Sequence, residues 1–357
     1  MKSQNLDIHF FKFLYSCMIV IYHLAGSTAI TCVGGYCGVE YFLLSAGLFL
    51  FLSFEKGEKR GLNLTPGQYL KKRFARFFPW CITGYLLVLV VQRVLIDKTA
   101  SLGQWADYFA KDIWEVLMIN MNGMNNNEYL LNSPAWTLSA MLIVGFFIWA
   151  LMYYYKNLFI RIIMPLTLVI GFGVWTHLPS ANTERWMGFT NFGTFRTYLV
   201  FCLGYYCLQL AKKLAEIPFT KAGKCVLTIA EIIIHIFSLT IMFLRAERYY
   251  QWLITALFMV AIAIAMSGHS YLAQFLSKFK FIQFLGNLSM SIYLVHVAVT
   301  IAFRHVFDIS AWGYIELIPV FAAVLLVSIL HYYGTDWLWK LVTKAGEKTK
   351  KHLVKEF

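Results

Sequence analysis

About ten runs of mostly apolar residues, each long enough to cross a bilayer, dominate this chain of 357 residues. A spanning helix needs about 20 such residues, because lipid leaves every backbone polar group to be satisfied within the segment. The runs fall near 9–30, 36–54, 79–96, 134–155, 158–176, 195–213, 225–244, 251–267, 284–306 and 314–335. The expected fold class is therefore all-α, a polytopic integral membrane protein of about ten transmembrane helices in a single domain, 1–357. Composition points the same way. Only 14% of residues are charged and 59% are hydrophobic, whereas a soluble protein carries about a quarter charged residues. No Gly/Ser/Pro-rich linker, short-period repeat or low-complexity run interrupts the pattern. The first run lacks a small-residue cleavage site and continues into a second span, so a mature helix is expected there rather than a signal peptide.

An even number of spans puts both termini on one side, and Lys/Arg bias decides which. Of the 31 basic residues, 23 fall on the side of the N-terminus, including Lys56, Lys59, Arg60, Lys71, Lys72, Arg73 and Arg76, and 8 fall opposite, Arg196, Arg245 and Arg304 among them. Both termini are thus expected to be cytoplasmic. The formal charge of +13 then faces anionic lipid of the inner leaflet and calls for no nucleic acid, while loops 55–78 and 211–224 are placed to meet an anionic cytosolic ligand. On the other side, 97–133 opens with the amphipathic WADYFAKDIWEVLMINM, expected as an interfacial or re-entrant helix, and continues as an Asn-rich turn. Cys32 and Cys37 flank the first outer loop, where a disulfide is one arrangement left open. No metal-ligand spacing such as HxxxH occurs, so no metal is expected.

Ionisable residues inside spans are costly and usually face a cavity or the bundle interior. The first helix carries His9, Lys12, Ser16, His23 and Ser27 on one face. Lys12 and His23 are eleven residues apart, roughly 16 Å along the axis, so the lysine sits near the cytoplasmic mouth with the histidine deep behind it. Arg73 and Arg76, at i and i+3, present two forks suited to phosphate, although basic residues at a cytoplasmic helix end are also the commonest topology signal. Ser289, Tyr293, His296, Thr300 and Arg304 form a third stripe. Glu231 and His235, at i and i+4, form a pair that can relay protons, neutralise itself or simply pack.

These positions resemble acyltransferase family 3, the membrane-bound bacterial O-acyltransferases that act on surface carbohydrates. The resemblance rests on five stretches in order along the chain. KFLYSCMIVIYHL carries Lys12 and His23; GVEYFLLSAGLFLF carries Glu40 and Ser45; RFARFFP carries the arginine pair; SPAWTLSAMLI carries Trp136; and FLGNLSMSIYLVHV carries Ser289, Tyr293 and His296. Two departures stand out. The family's Ser-Gly pair is displaced, with Ala46 between Ser45 and Gly47, and Met141 stands where many members have a glutamate.

The resemblance implies transfer of an acyl group, usually acetyl, from cytoplasmic acyl-CoA to a hydroxyl of a cell-surface or lipid-linked carbohydrate, in the bacterial cytoplasmic membrane. Arg73, Arg76 and Lys12 would hold the CoA phosphates and His23 would be the general base, with Lys12 assisting. Glu40, Ser45, Trp136, Ser289, Tyr293 and His296 are the further cavity candidates. A glycan exporter, or a polysaccharide-assembly component without catalysis, uses the same kind of polar-lined bundle. Against the exporter, no matched pair of broken spans occurs.

Overall fold

The computed structural model describes residues 6–97, 101–121, 130–177, 185–244 and 248–353. The Asn-rich stretch 122–129 and the basic residues Lys2, Lys98, Arg245 and Lys355 lie outside them. Helices account for the architecture: α1 Leu6–Ala25, α2 Gly38–Glu58, α3 Pro66–Leu89, α4 Leu102–Val116, α5 Ala135–Leu158, α6 Met164–His177, α7 Phe192–Glu216, α8 Lys221–Leu244, α9 Arg248–Ser267, α10 Leu272–Leu276, α11 Phe281–Val306 and α12 Leu317–Leu353.

Among the described residues eight helical stretches are long and apolar enough to cross a membrane. Two features separate that count from the ten apolar runs. Residues 135–177 form one helical stretch, yet Tyr155 leaves helical geometry (φ −136°, ψ 38°) and a π-helical turn follows at Phe159–Ile163. Trp136 and Trp175 both lie within 6 Å of the Arg196 guanidinium, at 5.8 and 5.9 Å. A straight helix would hold those tryptophans nearly 60 Å apart, so α5 and α6 double back on each other. The other exception is α7, whose Arg, Thr, Tyr and Gln residues dilute its apolar character. Helix ends also exceed the apolar runs. α3 starts at Pro66, where Thr65 and Gln68 form a capping box, because the basic turn KKRFARFF continues the helix beyond the apolar part.

Helices α2 and α7 run parallel and meet in a regular register. Glu40 pairs with Arg196, Gly47 faces Gly204, and Glu55 pairs with Lys212, so each contact follows the last by about two turns. At the middle contact a Cβ on Gly204 would lie 2.5 Å from the Leu48 nitrogen, and one on Gly47 would lie 2.7 Å from the Phe201 backbone. Only hydrogen fits there, which lets the two backbones touch. Helices α1 and α11 also pack closely, His9 covering Gly286 at a distance that excludes any side chain.

The amphipathic α4 is too short to span, as expected, and lies against the bundle through acidic side chains. Glu115 accepts hydrogen bonds from the Leu131 and Asn132 nitrogens, both at 3.0 Å, and the Tyr85 hydroxyl donates to Asp112 at 2.9 Å. Asn132 Nδ2 in turn donates to the Leu294 carbonyl at 3.0 Å, tying the start of α5 to α11. Burial dominates the Glu115 carboxyl and pushes it up to about 8 despite its two backbone donors.

The structure decides two arrangements that the sequence leaves open. Cys32 and Cys37 are free thiols; Cys32 Sγ rests where it would crowd a side chain at Gly35, while Cys37 lies at the head of α2 beside Glu40 and Arg196. Glu231 and His235 do not neutralise each other. His235 Nδ1 shares a 2.7 Å hydrogen bond with the Tyr15 hydroxyl and its ring stacks on Phe11 at 3.3 Å, while Glu231 neighbours Asp7. Helix α1 supplies the partners of His235, which no local spacing reveals.

Candidate active site

His23 lies in the last turn of α1, and its ring centre is 5.0 Å from that of His296 on α11. The Arg304 guanidinium donates to the His23 carbonyl at 2.5 Å, fastening the end of α1 to α11. Nothing among the described side chains hydrogen-bonds the His23 ring, which is half-buried. His296 is fully buried. Its Nδ1 lies 3.2 Å from the Ile292 carbonyl, which can only accept, so the proton sits on Nδ1 and the lone pair on Nε2. That Nε2 is buried without a partner.

Polar groups continue from this pair across the bundle. The Tyr293 ring is 6.2 Å from His296, and its hydroxyl shares a 2.9 Å hydrogen bond with Thr137 Oγ1, next to Trp136. Beyond Trp136 lies Arg196, whose guanidinium is ringed by Tyr36, Trp136 and Trp175 at 5.8–5.9 Å. Arg196 donates to Glu40 through Nε at 2.6 Å while its Nη2 closes the ion pair, and Gln251 Nε2 donates to the same carboxylate oxygen at 2.6 Å. All three side chains are at least 98% buried. Such burial of a charge pair is tolerated only with complementary hydrogen bonds, and the aromatic ring faces add cation–π attraction.

The sequence candidates divide accordingly. His23, His296, Tyr293, Trp136 and Glu40 fall along this one polar tract. Ser45 and Ser289 do not contribute hydroxyls to it, since each donates to a backbone carbonyl of its own helix, Phe42 at 3.0 Å and Gly286 at 2.7 Å. Met141 packs among apolar side chains. Arg196 and Gln251 join the tract without being among the sequence candidates. The available signal is the lone arginine in GTFRTYLVF, an intramembrane charge that a count of basic residues by side treats only as a loop marker.

Lys12, Arg73 and Arg76 lie within electrostatic range of one another at the other end of α1. Both arginines act electrostatically on Lys12, whose Nζ lies 5.6 Å from the Phe49 ring centre. Arg73 Nε donates to the Tyr69 hydroxyl at 3.1 Å, and its guanidinium lies 5.4 Å from that ring. Among the described residues no carboxylate forms an ion pair with any of the three. Three cations so placed, without a paired carboxylate, give this end of the bundle a positive field.

The fold and site together define a multi-pass helical membrane protein with a histidine-centred polar interior and a cationic mouth. No curated protein and no solved structure matches the chain. The family model described as Acyltransferase domain, acyltransferase family 3, matches residues 5–333, nearly the whole chain, and the protein belongs to that family. It is accordingly an acyl transferase of a family whose acceptors are generally carbohydrates.

Proposed function

We propose that the protein moves an acyl group, acetyl in the first instance, from cytoplasmic acyl-CoA to a hydroxyl of a cell-surface or lipid-linked carbohydrate. Residues 1–357 act as one domain of ten spans in the bacterial cytoplasmic membrane, with both termini cytoplasmic. The observation that carries this reading is the division of labour along α1. Lys12 joins Arg73 and Arg76 at one end, His23 joins His296 at the other, and eleven residues of helix, roughly 16 Å, separate them. An anionic carrier held at the cationic end would reach the histidines with its thioester.

In this mechanism His23 takes the proton from the acceptor hydroxyl as its oxygen attacks the thioester carbonyl. The tetrahedral intermediate collapses with cleavage of the C–S bond, and the imidazolium returns the proton to the departing thiolate. Lys12, Arg73 and Arg76 hold the CoA phosphates, and Lys12 steers the acyl arm towards His23. His296 keeps a lone pair beside His23 and so tolerates, without donating to, the working base. Glu40, held by Arg196 and Gln251, fixes the wall carrying Trp136 and Tyr293, against which the carbohydrate lies. Ser45 and Ser289 support their own helices.

The test is label transfer from radiolabelled acetyl-CoA to candidate glycans by the purified protein. General-base catalysis is worth about 10²–10⁴-fold, so His23→Ala should lower turnover by that factor while CoA binding stays as in the wild type. A folded His23→Ala variant that acetylates at the normal rate would end the mechanism.

A further inference from the structure

Beside the Lys12–Arg73–Arg76 cluster lies a cavity of about 470 Å³ to which the proposed mechanism gives no role. It opens between the end of α2 and the start of α3, and Lys56, Arg60 and Lys72 line it. All three are exposed, and among the described residues none forms an ion pair. The acidic neighbours on the same helix are occupied elsewhere, Glu55 by Lys212 and Glu58 by Lys156. Phe49, Leu52 and Leu62 supply an apolar lining, and the volume falls within the range of small-molecule sites, about 300–1,000 Å³.

Two contacts join this cavity to the deeper cations. Phe49 lines the cavity and also lies beneath Lys12 Nζ. Trp149, another lining residue, stacks on Tyr69 with ring centres 4.4 Å apart, and Tyr69 accepts from Arg73. The cations therefore form two groups along one aromatic wall, an inner one at Lys12, Arg73 and Arg76 and an outer one at Lys56, Arg60 and Lys72. Two such groups beside an aromatic wall suit a ligand with two separated phosphate groups and a flat ring attached between them.

We infer that the outer cavity binds the 3′-phosphoadenosine end of the donor, with Lys56, Arg60 and Lys72 on the 3′-phosphate and the adenine against Phe49, Leu52 and Leu62. The inference rests on the acyl-CoA reading above, and divides its phosphates: the diphosphate belongs to the inner arginines and the 3′-phosphate to the outer cavity. Lysine and arginine hold a phosphomonoester through charge-assisted hydrogen bonds, the stronger class.

Binding decides the matter without turnover. The full-length protein in phosphatidylcholine nanodiscs is titrated calorimetrically with adenosine 3′,5′-bisphosphate and with adenosine 5′-monophosphate, which differ only in the 3′-phosphate. The wild type should prefer the bisphosphate by roughly ten- to a hundredfold. Lys56→Gln combined with Arg60→Gln and Lys72→Gln should bring the two ligands within about twofold. Lys56→Arg with Lys72→Arg should keep the preference, which separates loss of charge from loss of fold. Absence of preference in the wild type, or its survival in the glutamine variant, overturns the inference. Displacement of the bisphosphate by phosphatidylglycerol doped into the discs would assign the cavity to a lipid headgroup and overturn it equally. If the bisphosphate binds as expected but no acyl-CoA supports label transfer, the proposed reaction fails and the phosphate site stands. If label transfer proceeds but the preference is missing, the reverse holds.

Discussion

Removing Arg196 while leaving Glu40 in place should be among the most damaging single changes available in this protein. Glu40 is fully buried and accepts hydrogen bonds from Arg196 Nε, whose guanidinium also closes the ion pair through Nη2, and from Gln251 Nε2. Arg196→Met leaves it only the last. Two unit charges about 4 Å apart attract by about 4 kcal/mol at an effective dielectric near 20, and breaking buried pairs typically costs about 3–5 kcal/mol. Glu40→Met, which takes the carboxylate from the buried guanidinium instead, should cost a similar amount. The double variant differs from both. With neither charge present the remaining deficit is the orphaned Gln251 amide, about 1–3 kcal/mol. Summed singles would predict about 6–10 kcal/mol, so the coupling should be at least about 3 kcal/mol. Reversible unfolding in mixed micelles, with increasing fraction of denaturing detergent, measures all four corners of the cycle. A single variant that loses less than about 1 kcal/mol, or a double variant as unstable as the summed singles, would refute the reasoning.

Two further outcomes follow from the packing and from α4. Gly204→Ala places a methyl group 2.5 Å from the Leu48 nitrogen and should destabilise by about 1–3 kcal/mol; Gly173→Ala, with open space around it in a helix, should be neutral or stabilise by up to about 1 kcal/mol. Equal thermal midpoints for the two variants would refute the close approach of α2 and α7. Glu115 has a folded-state pKa, about 8, above its ordinary value of 4.5. As pH rises between those values the unfolded chain ionises while the folded carboxyl keeps its proton, so this contribution to stability is full below about 4.5 and is lost on approaching 8. Burial also raises Asp112, so Glu115→Gln should flatten the fall in melting temperature between pH 5 and 8 without abolishing it. An unchanged slope in that variant would assign the effect elsewhere.

The spans are legible in the sequence because lipid imposes a length and a composition that the residues themselves display. Their ends are less so: α3 begins at Pro66 since a helix persists wherever caps and propensity allow, with no need for apolar residues. Lys12, His23 and the paired arginines can be read because their grouping depends on one helix's periodicity and one short segment. The His23–His296 approach, the Tyr15–His235 hydrogen bond and the Arg196–Glu40 pair depend on which helices neighbour one another, information spread over the whole packing arrangement. Arg196 shows the difficulty well. In sequence it is one basic residue beyond a loop, and only the parallel register of α2 and α7 turns it into the partner of Glu40.

That register has a mechanical consequence. With Glu55–Lys212 at one end, Glu40–Arg196 near the other and bare backbone touching between, α2 and α7 cannot slide or rotate against each other without breaking an ion pair at both ends. They act as a fixed post running through the membrane. The two histidines ride on α1 and α11, which are clamped to each other by Arg304 and by the His9–Gly286 contact. A shift of α1 and α11 against α2 and α7 would therefore carry both histidines together.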